Sequence, residues 1–188
     1  MNEFEQIMAS IIERKYNEVI SLNTEAGPFD KIKHFEGNAI GQIGEEFVKT
    51  VFSECGITIN NRGNIVHDEF DILLNNTKIE VKTARKGRNS TFQFNGINPA
   101  YNADYIILIG ISPNNVYCKV LDKAWCRYDH PTRSYYFSID GKDKKLVSMN
   151  PGNAVNYKLT MKTENMDGIE ELVRQVYRIN LIAQGIDQ

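Results

Sequence analysis

Asp71, Glu80 and Lys82 are the residues whose types and spacing suit chemistry. They lie in the stretch Glu69 to Lys82, where apolar residues alternate at Phe70, Ile72 and Leu74 and again at Ile79 and Val81. Alternation on both sides of Asn75-Asn76 predicts a β-hairpin, since asparagine tolerates the positive φ that a two-residue turn requires. With that pair as the loop, Leu74 meets Thr77, Ile72 meets Ile79 and Phe70 meets Val81. One face of the ribbon is then apolar, and on the other Asp71 sits opposite Glu80 and Glu69 opposite Lys82. Carboxylates facing each other across a ladder repel unless a cation or a shared proton lies between them. A divalent metal removes the conflict: Mg²⁺ takes oxygen ligands from one or two carboxylates, and a nearby lysine orients a water or steadies developing charge. The plainer alternative is an exposed face of solvated acids and lysines.

Elements on either side must hold this hairpin. Phe4, Ile7, Met8, Ile11, Ile12, Tyr16, Val19 and Ile20 keep a helical stripe, predicting a helix from near Glu3 to near Leu22. Asn23 to Phe29, with Gly27-Pro28, reads as the loop that stops it. A second helix is expected over roughly Gly37 to Cys55, with Ile40, Ile43, Phe47 and Val51 on one face and Gly56 as its cap. Gly44 falls on that apolar face, where a missing side chain lets another element come close, and Glu45 lies at its border. Ile57 to Ile59 is a strand candidate, with Ile65-Val66 continuing the sheet; Thr91 to Phe94 alternates like a strand, and Gly96 to Asn102 is a loop. Tyr105 to Ile111 is the most apolar run and reads as a central strand buried on both faces. Beyond it, Val116 to Leu121, Tyr135 to Ile139 and Asn156 to Met161 read as strands, Ala124 to Tyr128 as a short helix or turn, and Gly168 to Ala183 as a closing helix.

Asp71 followed by Glu80-Val81-Lys82 resembles the D-x(n)-[DE]-x-K signature of the PD-(D/E)xK nuclease superfamily, with Phe70 standing where the motif's name has proline. Gly41, Gly44, Glu45, Val48, Phe52 and Gly56 resemble, in order, the helix that precedes the catalytic hairpin in those nucleases. The resemblance covers roughly Gly37 to Ile111 and is closest to the type II restriction endonucleases. It implies an α/β fold: a mixed central β-sheet flanked by helices, a restriction-endonuclease-like core, here with a β-rich C-terminal elaboration. It also implies a metal-dependent endonuclease acting on double-stranded DNA, with Asp71, Glu80, the Val81 carbonyl and Glu45 at Mg²⁺, for which Mn²⁺ substitutes. Lys82 would position or activate the attacking water, and Gln93 would add an outer contact. Glu46 reads as an ordinary surface acid. A structure-specific nuclease such as a Holliday-junction resolvase, and a non-catalytic DNA-binding scaffold of the same fold, are the alternatives.

The length of 188 residues, 41% of them hydrophobic, predicts one domain: residues 1–36 as an N-terminal helical segment, 37–111 as the catalytic core and 112–188 as elaboration and last helix. A formal charge of −2 argues against a protein that coats nucleic acid non-specifically. Basic residues still cluster locally. Arg85, Lys86 and Arg88 follow Lys82 directly and suit phosphate contacts, while Arg127 and Arg133 lie among aromatics in a stretch that can hold phosphates and touch bases or be plain loop surface. Cutting both strands of a palindrome needs two sites, so a two-fold homodimer is expected. Cys55, Cys118 and Cys126 lack metal spacing and read as reduced thiols; His34, His67 and His130 are scattered and make a zinc site unexpected. With no apolar run of membrane length and no basic leader before one, the chain is expected to be cytoplasmic, with no membrane partner.

Overall fold

The computed structural model describes residues 2–19, 27–60, 69–87, 89–150 and 152–186. Expectations for Arg88, His67, Ile65-Val66 and the first helix beyond Val19 lie outside these residues. Helix α1 (Glu3–Val19) precedes a 3-10 turn at Asp30–His34 and helix α2 (Gly37–Glu54). Strands β1 (Ile72–Leu74), β2 (Thr77–Arg85), β3 (Thr91–Ile97), β4 (Tyr105–Ile111) and β5 (Val116–Asp122) follow. A short 3-10 turn at Lys123–Trp125 leads to β6 (Cys126–Asp129), β7 (Ser134–Ile139), β8 (Lys142–Lys145), β9 (Val147–Asn150) and β10 (Asn153–Lys162). A third 3-10 turn at Thr163–Asn165 then precedes β11 (Asp167–Gly168) and helix α3 (Ile169–Ala183).

The fold is α/β. Its central sheet has the order β1-β2-β4-β5-β11, with β2 and β4 parallel and the other neighbours antiparallel. Two three-stranded sheets, β3-β10-β9 and β6-β7-β8, form a β layer, so the C-terminal part is β-rich as expected. One core lies between the helices and the central sheet, where Ile43, Phe47 and Phe52 of α2 meet Ile79 and Val81 of β2 and Ile107 and Ile109 of β4. On the opposite face Ala84, Ile106, Leu108 and Leu121 pack with Phe92, Phe94, Phe137 and Leu159 from the β layer. Strand β4 thus contributes alternate residues to both cores, which is why it reads as a continuous apolar run.

Helix α2 is stopped as its sequence suggests. Gly56 takes φ +71° while its N–H donates to the Ser53 carbonyl and that of Ile57 to the Phe52 carbonyl, a Schellman closure. The expected strand at Ile57 to Ile59 does not form. That segment runs beside β1 with a bond from the Asn60 N–H to the Leu73 carbonyl, too little for a ladder. Ala124 to Tyr128 divides into the end of a 3-10 turn and the start of β6, and β3 runs to Ile97, three residues beyond the expected strand. The three cysteines are free, and burial pushes the Cys118 thiol up to about 12. No helix among the described residues is long and apolar enough to cross a membrane.

Candidate active site

The hairpin register is the one its turn dictates: Leu74 pairs with Thr77, Leu73 with Lys78 and Ile72 with Ile79, and Asn75 takes φ +53°. Beyond Ile72 the ladder changes character. The Asp71 N–H still donates to the Ile79 carbonyl, but the next main-chain partner of β2 is a side chain, for Asp71 Oδ2 accepts the Val81 N–H at 2.7 Å. The expected Asp71–Glu80, Phe70–Val81 and Glu69–Lys82 pairs therefore do not form as strand; Asp71 lies in a bend, Glu69 in an exposed turn, and Phe70 instead lies under the Lys78 ammonium. A carboxylate that ends a strand by capping its neighbour's N–H leaves that neighbour's edge open to other groups. Because the N–H and C=O of one strand residue leave on the same side, the Val81 carbonyl also points toward Asp71.

Glu80 and Lys82 alternate with Val81 and so point to the β-layer face of the central sheet. Glu80 is only 2% exposed. Its Oε1 accepts from Lys82 Nζ at 2.8 Å, and its Oε2 has no hydrogen-bond partner. An unsatisfied buried carboxylate oxygen is costly. Burial raises the Glu80 carboxyl above its ordinary value, Lys82 opposes this, and Asp71 pushes it further up.

Helix α2 brings the third acid. A Cβ at Gly44 would lie 2.8 Å from Thr83 Cβ and 3.0 Å from its Cγ2, so the helix rests directly on β2 at this point. The next residue, Glu45, is consequently delivered beside the open edge. Its carboxyl is raised first by burial and then by Asp71, and lowered by Lys49 and Lys82, which places it within electrostatic reach of the hairpin residues. Glu46 points elsewhere, into an ion pair with Arg14 of α1.

Thus Asp71, Glu80, Val81 and Lys82 are brought together, with Glu45 at their margin. The remaining predicted residues are dispersed. Arg85 donates to the Lys33 carbonyl at 2.8 Å and the Phe35 carbonyl at 3.5 Å, tying β2 to the 3-10 turn, while Lys86 is exposed. Gln93 bonds Asn95 rather than a hairpin residue. Arg127 pairs with Asp143 and Asp129 and lies over the Tyr136 ring, and Arg133 occupies the β6–β7 turn with φ +48°. Sequence reasoning missed Gly96, whose ideal Cβ position is 4.0 Å from Lys82 Nζ, and Met149, whose sulfur accepts the Gly96 N–H. A glycine next to an alternating run was the signal available for Gly96.

Among the described residues no three His, Cys, Asp or Glu side chains are gathered as a metal-holding group. A divalent ion here would rest on two carboxylates and a main-chain carbonyl, a donor set of the kind Mg²⁺ accepts with water completing the shell. The orphaned Glu80 oxygen fits that use. In comparisons with known proteins, no family model and no curated protein matches the chain.

Proposed function

We propose that this chain is a metal-dependent endonuclease of the PD-(D/E)xK type, cutting double-stranded DNA at specific sequences in the manner of a type II restriction enzyme. The observation that supports it most is the buried Glu80 carboxylate, held to Lys82 on one oxygen, unpartnered on the other and next in sequence to Val81, whose N–H bonds Asp71. A purely structural ion pair would not need that second acid or leave that oxygen empty.

In this reading Asp71, Glu80 and the Val81 carbonyl hold Mg²⁺, or Mn²⁺ in its place, and Glu45 assists from α2. The ion, when bound, supplies positive charge to the scissile phosphate and acidifies a water. Lys82 holds and orients the attacking water, its ammonium fixed by the 2.8 Å bond to Glu80. Lys86 and Arg88 follow within a few residues and neutralise DNA phosphates; Arg85 does so at most alongside its bonds to Lys33 and Phe35. Cleavage of both strands calls for a two-fold homodimer, which sedimentation would report as twice the mass of one chain.

Digestion of plasmid DNA in Mg²⁺ by the parent, Glu80→Ala and Lys82→Ala proteins tests the assignment. Discrete fragments from the parent and a loss of at least about a hundredfold in both variants are expected. Undiminished cleavage by folded variants would sink it, and preferential cutting of four-way junctions would replace the restriction reading with a resolvase.

A further inference from the structure

Charge is distributed very unevenly along this nearly neutral chain. Residues 85–162, which include the whole β layer, hold twelve Lys and Arg against five Asp and Glu, whereas the rest holds ten against nineteen. The five acids are already engaged. Asp104 accepts the Lys78 N–H, Asp122 caps the turn at Ala124, Asp129 holds Thr132, Asp140 pairs with Lys119 and Asp143 with Arg127. Within the β layer itself, residues 91–97 and 126–162, seven Lys and Arg stand against three Asp, so the layer is cationic on balance.

Within that layer the two sheets differ. In the β6-β7-β8 sheet the lysines of β8 lie on an exposed edge strand, where lysine ordinarily serves to block edge-to-edge pairing. The β3-β10-β9 sheet is different, since its three strands contain no Asp or Glu at all. Phe92, Phe94, Leu159 and Met161 turn inward, leaving Gln93, Asn95, Thr160 and Lys162 exposed on the outer face, with Lys158 half-buried. Thr160 stands opposite Gln93 and Lys162 opposite Thr91, so cations and amides share one surface. Lys162 leans toward Glu164 at 3.4 Å, an exposed pair that a phosphate can displace. The sheet also reaches the catalytic lysine: Gly96, next to Asn95, lies against Lys82 and is held by Met149 of β9.

Resting on the nuclease reading, we propose that the outer face of β3-β10-β9 is where duplex DNA lies, with Lys158 and Lys162 on phosphates and Gln93 and Asn95 at base edges. Charge complementarity selects this occupant: the three strands carry Lys158 and Lys162 and no acid. Gln93 Nε2 donates to Asn95 Oδ1 at 3.1 Å, so the amides are mutually oriented, leaving the Gln93 carbonyl oxygen and the Asn95 NH₂ available. That is an acceptor and a donor side by side, the pattern that meets N6 and N7 of adenine in the major groove.

The test measures binding in Ca²⁺ to a random-sequence duplex pool across a salt series, followed by sequencing of the bound fraction. Lys158→Ala with Lys162→Ala is expected to weaken binding to all sequences alike and to flatten the slope of log affinity against log salt by about 1.8. Gln93→Ala with Asn95→Ala is expected to keep the slope and lower discrimination at an A·T position by roughly 5- to 150-fold. Melting curves with and without Mn²⁺ on the same proteins check folding and the metal site separately. A parent that cleaves DNA while the lysine pair leaves its slope unchanged overturns this surface and spares the nuclease. Slope and specificity changes as expected, from a parent with neither cleavage nor an Mn²⁺ response, support the surface and overturn the nuclease. No duplex binding by the parent, or tighter binding of single strands or RNA, overturns the proposed occupant.

Discussion

Burial of Glu80 works against the folded, metal-free protein wherever its carboxyl is ionised. Its carboxyl is raised chiefly by burial, and a raised acid favours the folded state only where it is protonated. That contribution is fully present below the ordinary value of 4.5 and is lost as pH rises through the higher folded value. Glu80→Gln, which cannot ionise, should therefore melt above the parent at neutral pH without metal, and the gap should close as pH falls toward 4.5. Adding Mn²⁺ should reverse the order at neutral pH, because a site present only in the native state stabilises by mass action. A parent that outlasts the glutamine protein without metal would remove the premise of a strained acid. Part of this residue pattern was legible from the turn: Asn75-Asn76 set the register as far as Ile72 and Ile79. What the turn could not say is that the ladder ends at Asp71, whose side chain caps Val81. Arg85 shows the same limit, since carbonyls about fifty positions earlier in the chain hold a guanidinium that local sequence assigned to phosphates.

At the scale of elements, the approach of α2 to β2 sets where Glu45 lies. Gly44 permits it, and any side chain there meets Thr83. Gly44→Ala should cost about 1–3 kcal/mol in urea unfolding through overpacking, although alanine is the better helix former. Thr83→Ala should recover most of that loss in the double variant, because it vacates the contact and removes a buried hydroxyl with no partner. Additive effects of the two changes would show that the contact is not what limits the site. The close approach was readable from glycine on an apolar face, but its partner was not. Strands β8 and β9 were invisible for a different reason: Lys142–Lys145 and Val147–Asn150 lack an alternating apolar pattern and are strands because β7 and β10 pair with them. Gly96→Ala would act at both scales, straining a φ of +74° and adding a carbon beside the Lys82 ammonium.

Over the whole molecule, the central sheet is the one wall that two cores share. β4 gives Ile107 and Ile109 to the helix side and Ile106 and Leu108 to the β layer, so loosening either layer exposes half of the same strand. Lys119 of β5 adds a polar tie, bonding Asp140 of the β7–β8 turn and Asp167 of β11. Unfolding should consequently be one cooperative transition despite the separate sheets. The chain supplies its own probes. Its single tryptophan, Trp125, lies in the turn leading into the β layer, while helical circular dichroism reports α1, α2 and α3 on the opposite side. Fluorescence and dichroism recorded through a urea titration should give coincident midpoints and slopes. A helix signal lost at lower urea than the Trp125 signal would show that the layers unfold independently, and that β4 does not bind the β1–β2 hairpin and the proposed DNA face into one unit.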